Sequence, residues 1–122
     1  QVLLNLLTNA RDALNEKYPG YSQEKIIRLS CTQFQEAERR WIRITVEDHG
    51  NGIPRNVIEK IYEPFFSTKA KDKGTGLGLS ISFGIVKDHH GRLTVQTKEG
   101  KYTRFNLELP VDNGWELKTR GE

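Results

Sequence analysis

The sequence predicts an α+β domain, a two-layer α/β sandwich in which a mixed, mostly antiparallel sheet of about five strands carries about three helices on one face. Two observations support this prediction: two long segments have helical spacing of apolar residues, and two pairs of alternating segments are each joined by a short polar turn. With 122 residues, the chain has the size of one domain. We therefore expect a single domain over residues 1–122. Because it begins without methionine and inside a helical pattern, we expect it to be a piece of a longer protein.

The first helix and the first strand pair occupy the N-terminal half. Apolar residues recur every three or four positions between 2 and 14, and Pro19-Gly20 ends this helix. The segments "KIIRLSCTQF" and "RWIRITVED" then alternate and flank a polar turn, as in a hairpin. The alternation places Ile27, Leu29 and Cys31 on one side of the first strand. It predicts that Cys31 lies in the core.

The C-terminal half repeats this order of helix and hairpin. A short helix is predicted between Pro54 and Pro64, followed by an aperiodic loop over 65–78. The segment "LSISFGIVKDHHG" resumes helical spacing and ends at Gly91, the predicted C′ residue. The segments "RLTVQT" and "YTRFNLELP" then form a second hairpin around a turn at 98–101.

Composition narrows the classes of function. The net charge is only +3, and basic residues are interleaved with acids, so we expect no nucleic-acid partner. No apolar run approaches the roughly 18 residues of a membrane span, so we expect no membrane contact by this domain itself. The single cysteine fits a reducing compartment.

The stretch "KGTGLGLS", residues 73–80, has glycine at every second position before a predicted helix. The first amides of a helix bind anions, and glycines allow the backbone to approach phosphate oxygens closely. The alternative is an ordinary flexible loop before a helix. A Walker A loop does not fit because Leu79-Ser80 follows Gly78, and a dinucleotide-binding turn does not fit because a lysine-rich loop precedes the glycines.

A second candidate site lies in "VEDHGNGIP", where the predicted strand ends at Asp48 and Gly50 and Gly52 follow. A buried carboxylate at this position can accept a hydrogen bond from an exocyclic amine such as that of adenine. The glycines leave room for a flat ring against the backbone. The alternative is a strand that ends in an ordinary Asp-Gly turn.

The first helix carries two asparagines, Asn5 and Asn9, on one face. Their carboxamide oxygens can ligate Mg²⁺ together with phosphate oxygens and water. The alternative is a pair of asparagines on a solvated flank.

These motifs occur in a specific order. "NLLTNARDA", "DHGNGIP", "EPFFSTK" and "GTGLGLSI" resemble the N, G1, F and G2 boxes of the ATP-binding catalytic domain of sensor histidine kinases, which has the Bergerat (GHKL) fold. The resemblance extends from Gln1 to about Pro110. The wider family includes the ATPase domains of gyrase B, MutL and Hsp90, but "EPFFSTK" followed by "GTGLGLS" resembles the kinase branch.

The resemblance implies roles for individual residues. Asn9 would be the Mg²⁺ ligand, and Asp48 would recognise adenine. It implies that the nucleotide is bound by Asn5, Asn9, Asp48, Gly50, Gly52, Ile53, Phe65, Phe66, Lys69, Lys73, Gly74, Thr75, Gly76, Leu77, Gly78 and Leu79. Where many relatives carry a basic residue three positions after the metal-binding asparagine, this chain has Asp12. Which basic side chain contacts the phosphates stays open.

The resemblance also implies a function. The domain would bind Mg²⁺-ATP and donate the γ-phosphoryl group to a histidine on a separate dimerisation domain of the parent protein, for relay to an aspartate of a response-regulator receiver domain. We expect a cytoplasmic location for this domain. We also expect that none of His49, His89 and His90 accepts the phosphoryl group. One alternative is a GHKL-type ATPase that uses ATP for conformational closure, although no glutamate stands beside Asn9 to activate water. Another is a degenerate binding or scaffolding domain.

Overall fold

The computed structural model describes residues 1–63 and 78–111. In this part of the chain, the elements are α1 (Val2–Lys17), β1 (Ile27–Glu36), β2 (Arg39–Asp48), α2 (Arg55–Ile58), α3 (Gly78–Asp88), β3 (Arg92–Lys98) and β4 (Tyr102–Pro110). The predicted fold class is confirmed. The described sheet has four strands, against about five predicted, and all of its strand pairs are antiparallel. None of the described helices is long and apolar enough to span a membrane.

The two predicted hairpins form one sheet with the strand order β1-β2-β4-β3. β2 and β4 pair at its centre, where Val46 is opposite Phe105 and Asp48 is opposite Thr103. β3 pairs with the outer side of β4, and Thr97 is opposite Thr103. The end of β2, the start of β4 and the end of β3 therefore meet at one end of the sheet.

The hydrophobic core lies between one face of this sheet and the helices. α1 packs mainly on β2 and α3, and α3 also packs on β3. Leu6 of α1, Val46 of β2 and Val86 of α3 are each no more than 2% exposed. Burying a side chain of this kind contributes about 1.5 to 3 kcal/mol. The core thus fixes α1 and α3 over the central strands.

The predicted burial of Cys31 is wrong. Cys31 is exposed, and its neighbours on the same side of β1 are also open to solvent, with Ile27 41% and Leu29 54% exposed. Their strand partners, by contrast, include Val46, which is 1% exposed. The alternation therefore assigns the correct face of the sheet. Burial fails at β1 because it is the edge strand and α1 packs mainly on β2 and α3.

The C-terminus of α3 differs from the prediction by one residue. His90, rather than Gly91, adopts the left-handed conformation, with φ at 62°. The amides of His90 and Gly91 donate to the carbonyl oxygens of Lys87 and Val86, which is the Schellman pattern. Gly91 is needed for packing, because a Cβ there would lie 2.5 Å from the carbonyl oxygen of Glu108.

Candidate nucleotide-binding site

Asp48 is the last residue of β2 and lies on the face of the sheet that the helices cover. Its side chain points to the same side as Val46, and only 5% of the residue is exposed. Its Oδ1 accepts a hydrogen bond from the backbone amide of Gly50 at 2.9 Å. A carboxylate can accept up to about four hydrogen bonds, so this bond uses only part of its capacity. The arrangement presents a buried acceptor at the end of the sheet.

The turn after Asp48 requires both of its glycines. A Cβ at Gly50 would lie 2.8 Å from Oδ1 of Asp48 and 3.0 Å from Cβ of Ala13 in α1. Gly52 has φ at +69°, and a Cβ there would overlap the carbonyl oxygen of Lys98. The turn is therefore packed between the C-terminal half of α1 and the turn that joins β3 to β4.

Thr97 supports this turn from the second hairpin and is in contact with Thr103; the sequence analysis singled out neither threonine. The hydroxyl of Thr97 accepts a hydrogen bond from the amide of Ile53 at 2.9 Å and donates to the carbonyl oxygen of Tyr102 at 2.8 Å. It also lies 3.1 Å from the hydroxyl of Thr103, which is 5% exposed and directly opposite Asp48 in the sheet. The strand register brings these groups together. The alternation of the two predicted hairpins, once their pairing is known, is the signal that could have identified them.

The carboxylates at the end of β2 have opposite electrostatic environments. Burial raises the pKa of Asp48 to about 6, although the hydrogen bond from Gly50 acts in the other direction. The preceding Glu47 points to the other face, where its Oε2 lies 2.8 Å from Nε2 of His49 and its Oε1 lies 2.8 Å from Nε of Arg104. The hydrogen bonds with His49 and Arg104 lower the pKa of Glu47. Of these two carboxylates, Asp48 is therefore the one whose ionised form is less stabilised by its surroundings.

Asn5, the first of the two asparagines of α1, lies on the flank that faces α3. The amide nitrogen of Asn5 donates to Oγ of Ser82 at 2.9 Å and to the carbonyl oxygen of Gly78 at 3.4 Å. Asn9 lies one turn further along the same side of α1 and is half-buried. Ala13 of the same helix lies against Gly50 in the turn after Asp48. Asn5 and Ala13 are eight residues apart, which is about 12 Å along the helix. Asn9 lies between them, so α1 connects the two halves of the candidate site over a distance comparable to the length of a nucleotide.

The predicted phosphate-binding residues are described only in part. Gly78 and Leu79 begin α3, and Leu79 packs against the hydrophobic core. A Cβ at Gly78 would meet no atom of the described residues within 4 Å. The remaining predicted residues lie outside the described part of the chain: Phe65, Phe66, Lys69, Lys73, Gly74, Thr75, Gly76 and Leu77.

The sequence and fold were compared with those of known proteins. Residues 1–113 match the family described as histidine kinase-, DNA gyrase B-, and HSP90-like ATPase. The chain belongs to this family. The resemblance to the ATP-binding domain of sensor histidine kinases is confirmed by the relatives described next, which are named as two-component sensors and histidine kinases.

Curated relatives and solved structures agree with this placement. The chain is 44% identical over 111 residues to the two-component sensor PprA of Pseudomonas aeruginosa, and 41% identical over 116 residues to the sensor kinase CckA of Brucella abortus. These alignments cover 91% and 90% of this chain but only 12% of each relative. The catalytic domain of histidine kinase ThkA has a similar fold, with a TM-score of 0.70 and 34% identity over 90% of this chain and 64% of that one.

Proposed function

We propose that the chain binds Mg²⁺-ATP and donates the γ-phosphoryl group to a histidine on a separate dimerisation domain of a two-component sensor histidine kinase. The phosphoryl group would then pass to an aspartate of a response-regulator receiver domain. The observation that carries this proposal is the buried Asp48 carboxylate at the base of a turn whose two glycines are fixed by packing. Membership of the ATPase family and similarity to named sensor kinases support it.

The Asp48 end of the site would bind adenine. The Asp48 carboxylate accepts a hydrogen bond from the exocyclic amine, and the bare backbone at Gly50 and Gly52 lets the flat ring approach. Ile53, which packs against the core, provides an apolar edge. Such a site discriminates well, because a base with a different hydrogen-bonding edge leaves a buried carboxylate without its partner.

The α1–α3 end would bind the phosphates and the metal ion. Asn9 offers a carboxamide oxygen, and Mg²⁺ commonly takes one or two protein oxygens together with substrate phosphates and water, so the donor set fits this ion. When bound, the ion would neutralise charge on the phosphates during transfer. Asn5 fixes the start of α3 against α1 through Ser82 and Gly78. The first amides of α3 then face the phosphates with the positive end of the helix dipole.

The histidine that accepts the phosphoryl group would lie on the dimerisation domain. The ring of His49 is engaged with Glu47, and Nδ1 of His89 lies 2.9 Å from the carbonyl oxygen of Ile85. The described ring contacts of these two histidines are thus local ones. The chain's own contribution would be to bind and orient the donor, since phosphoryl transfer depends mainly on positioning and charge neutralisation.

The transfer is tested by mixing the chain with the dimerisation domain of its parent protein and γ-labelled Mg²⁺-ATP. We expect acid-labile label on the histidine of that domain and none on this chain. Release of inorganic phosphate without a labelled domain would contradict the kinase proposal and support the ATPase alternative.

The metal role of Asn9 is tested by Asn9→Ala, with Asn15→Ala as a control on the same helix. Asn15 is exposed and contacts Lys25. We expect Asn9→Ala to lose the gain in ATP affinity that Mg²⁺ provides, whereas Asn15→Ala keeps it. An equal gain from Mg²⁺ in both variants would exclude Asn9 as the ligand.

A further inference from the structure

Lys17, the last residue of α1, bridges two turns that are distant in sequence. Its ammonium group donates to the carbonyl oxygen of Gly50 at 3.3 Å and to that of Gly100 at 2.9 Å. Gly50 belongs to the turn after Asp48, and Gly100 belongs to the turn between β3 and β4. One side chain therefore joins the end of α1 to both turns.

The two turns are also in direct backbone contact. The amide of Gly100 donates to the carbonyl oxygen of Asn51 at 2.6 Å, and Gly52 lies against the carbonyl group of Lys98. The turn after Asp48 is thus held between α1 and the second hairpin. Both turns adjoin the paired strands β2 and β4, and the contacts between the turns, together with the two bonds from Lys17, add to the position that this pairing sets.

A lysine at a helix C-terminus has a common structural explanation, which is favourable interaction with the helix dipole. That interaction needs only a positive charge near the last turn of α1. It does not require the ammonium group to reach carbonyl oxygens in two other segments. The positive charge of Lys17 also favours the ionised form of Asp48 and so acts against the burial that raises the pKa of that carboxyl. Both effects are directed at the candidate adenine-binding surface.

We propose that Lys17 is a positioning residue for nucleotide binding: it holds the Asp48–Gly52 turn against the β3–β4 turn and thereby fixes the surface that receives adenine. This inference rests on the proposed function. Lys17 acts through the backbone of the turn, so its removal affects every ligand that carries the adenine base, with or without phosphates.

The test uses Lys17→Met in the 122-residue chain, with Lys25→Met as the matched control. Lys25 also has a hydrogen-bonded ammonium group, but its described hydrogen bond is to the side-chain Oδ1 of Asn15, at 3.0 Å, and not to a turn carbonyl. Affinities for ADP and adenosine are measured by calorimetry or NMR titration. We expect Lys17→Met to weaken both ligands by about tenfold and Lys25→Met to change neither. Lys17→Arg should restore most of the affinity, because a guanidinium group can donate to two carbonyl oxygens.

The outcomes separate this inference from the proposed function. If the wild-type chain binds neither ligand, the proposed function fails. If the wild type binds both and Lys17→Met binds them equally well, the role of Lys17 is wrong. If Lys17→Met loses ADP but keeps adenosine, Lys17 acts on the phosphates and the inference is overturned.

Hydrogen exchange provides a measurement that does not depend on ligand. We expect the amide of Gly100, which is bonded to Asn51, to exchange faster in Lys17→Met than in Lys25→Met, while amides at the centre of β4 are unchanged. Equal acceleration throughout the sheet would indicate general destabilisation and would contradict a local positioning role. Unchanged exchange at Gly100 would contradict it as well.

Discussion

Two adjacent acidic residues of β2, Glu47 and Asp48, lie on opposite faces of the sheet and have opposite electrostatic environments. Glu47 lies on the face away from the helices, where Arg28, Arg104 and His49 surround its carboxylate. Asp48 lies on the helix-covered face, where its carboxylate accepts a hydrogen bond from the amide of Gly50. These interactions lower the pKa of Glu47, whereas burial raises the pKa of Asp48 to about 6.

Glu108 on β4 lies on the same face of the sheet as Glu47, the face away from the helices (the open face), and is also paired with arginines. Arg43 and Arg92 contact its carboxylate at 2.6 and 3.0 Å. Arg92 also covers the ring of Trp41, with its guanidinium carbon 4.4 Å from the ring centre. The acids of the open face are thus satisfied by side chains of neighbouring strands. Asp48 is about as buried as these two glutamates, with 5% of the residue exposed against 8% for Glu47 and 6% for Glu108. Its described hydrogen bond, however, comes from the backbone amide of Gly50 and not from an arginine side chain. A buried carboxylate that keeps acceptor capacity is a feature expected of a binding site.

The contrast between Glu47 and Asp48 depends on the turn that follows Asp48, and Gly52→Ala should disrupt this turn. Positive φ and overlap with the backbone of Lys98 should together destabilise the fold by about 2 to 5 kcal/mol. Gly100→Ala is the control, because Gly100 also has positive φ, at 81°, but a Cβ there would meet nothing within 4 Å among residues 1–63 and 78–111. It should cost only about 1 to 2 kcal/mol. Urea unfolding measures both values, and equal losses would show that crowding at Gly52 has no effect.

The second prediction concerns stability and pH. An acid whose pKa is raised on folding stabilises the folded state most when it is protonated. The contribution of Asp48 to the free energy of unfolding therefore falls as the pH rises from 3.8, the ordinary pKa of an aspartate, to about 6, its pKa in the folded chain, and is constant at higher pH. Asp48→Asn removes this penalty. We expect the variant to exceed the wild type in free energy of unfolding by up to about 3 kcal/mol at pH 8, with little difference near pH 4. Urea unfolding at both pH values tests this, and a difference that does not vary with pH would contradict it.

Glu47→Gln should have a smaller effect of opposite sign. Because the pKa of Glu47 is lowered on folding, its contribution to the free energy of unfolding is fully present above pH 4.5, the ordinary pKa of a glutamate. This contribution is lost as the pH falls through the lowered pKa. Because Arg28 and Arg104 are partly exposed to solvent, we expect a loss of only about 1 kcal/mol at pH 7. Unfolding at pH 7 in low and high salt measures it. Stabilisation by Glu47→Gln would show that the open-face ion pairs oppose folding.

Sequence reasoning succeeds where the information is local. Asp48, Gly50 and Gly52 are adjacent along the chain, and the alternation of β2 indicates which face Asp48 occupies. The same alternation could not reveal that Cys31 is exposed, because burial depends on what covers the edge strand. Thr97 and Lys17 were missed for a related reason: their contacts with the turn depend on the register of the second hairpin and on where α1 ends.

The most direct test of the central claim, that Asp48 rather than its neighbour recognises adenine, is a titration of adenosine into the wild type, Asp48→Asn and Glu47→Gln at pH 7.5. Adenosine carries no phosphate, so the titration reports on the base alone. We expect Asp48→Asn to weaken binding by about 1 to 3 kcal/mol and Glu47→Gln to leave it nearly unchanged. Equal affinity of Asp48→Asn and the wild type, or an equal loss in both variants, would contradict the claim.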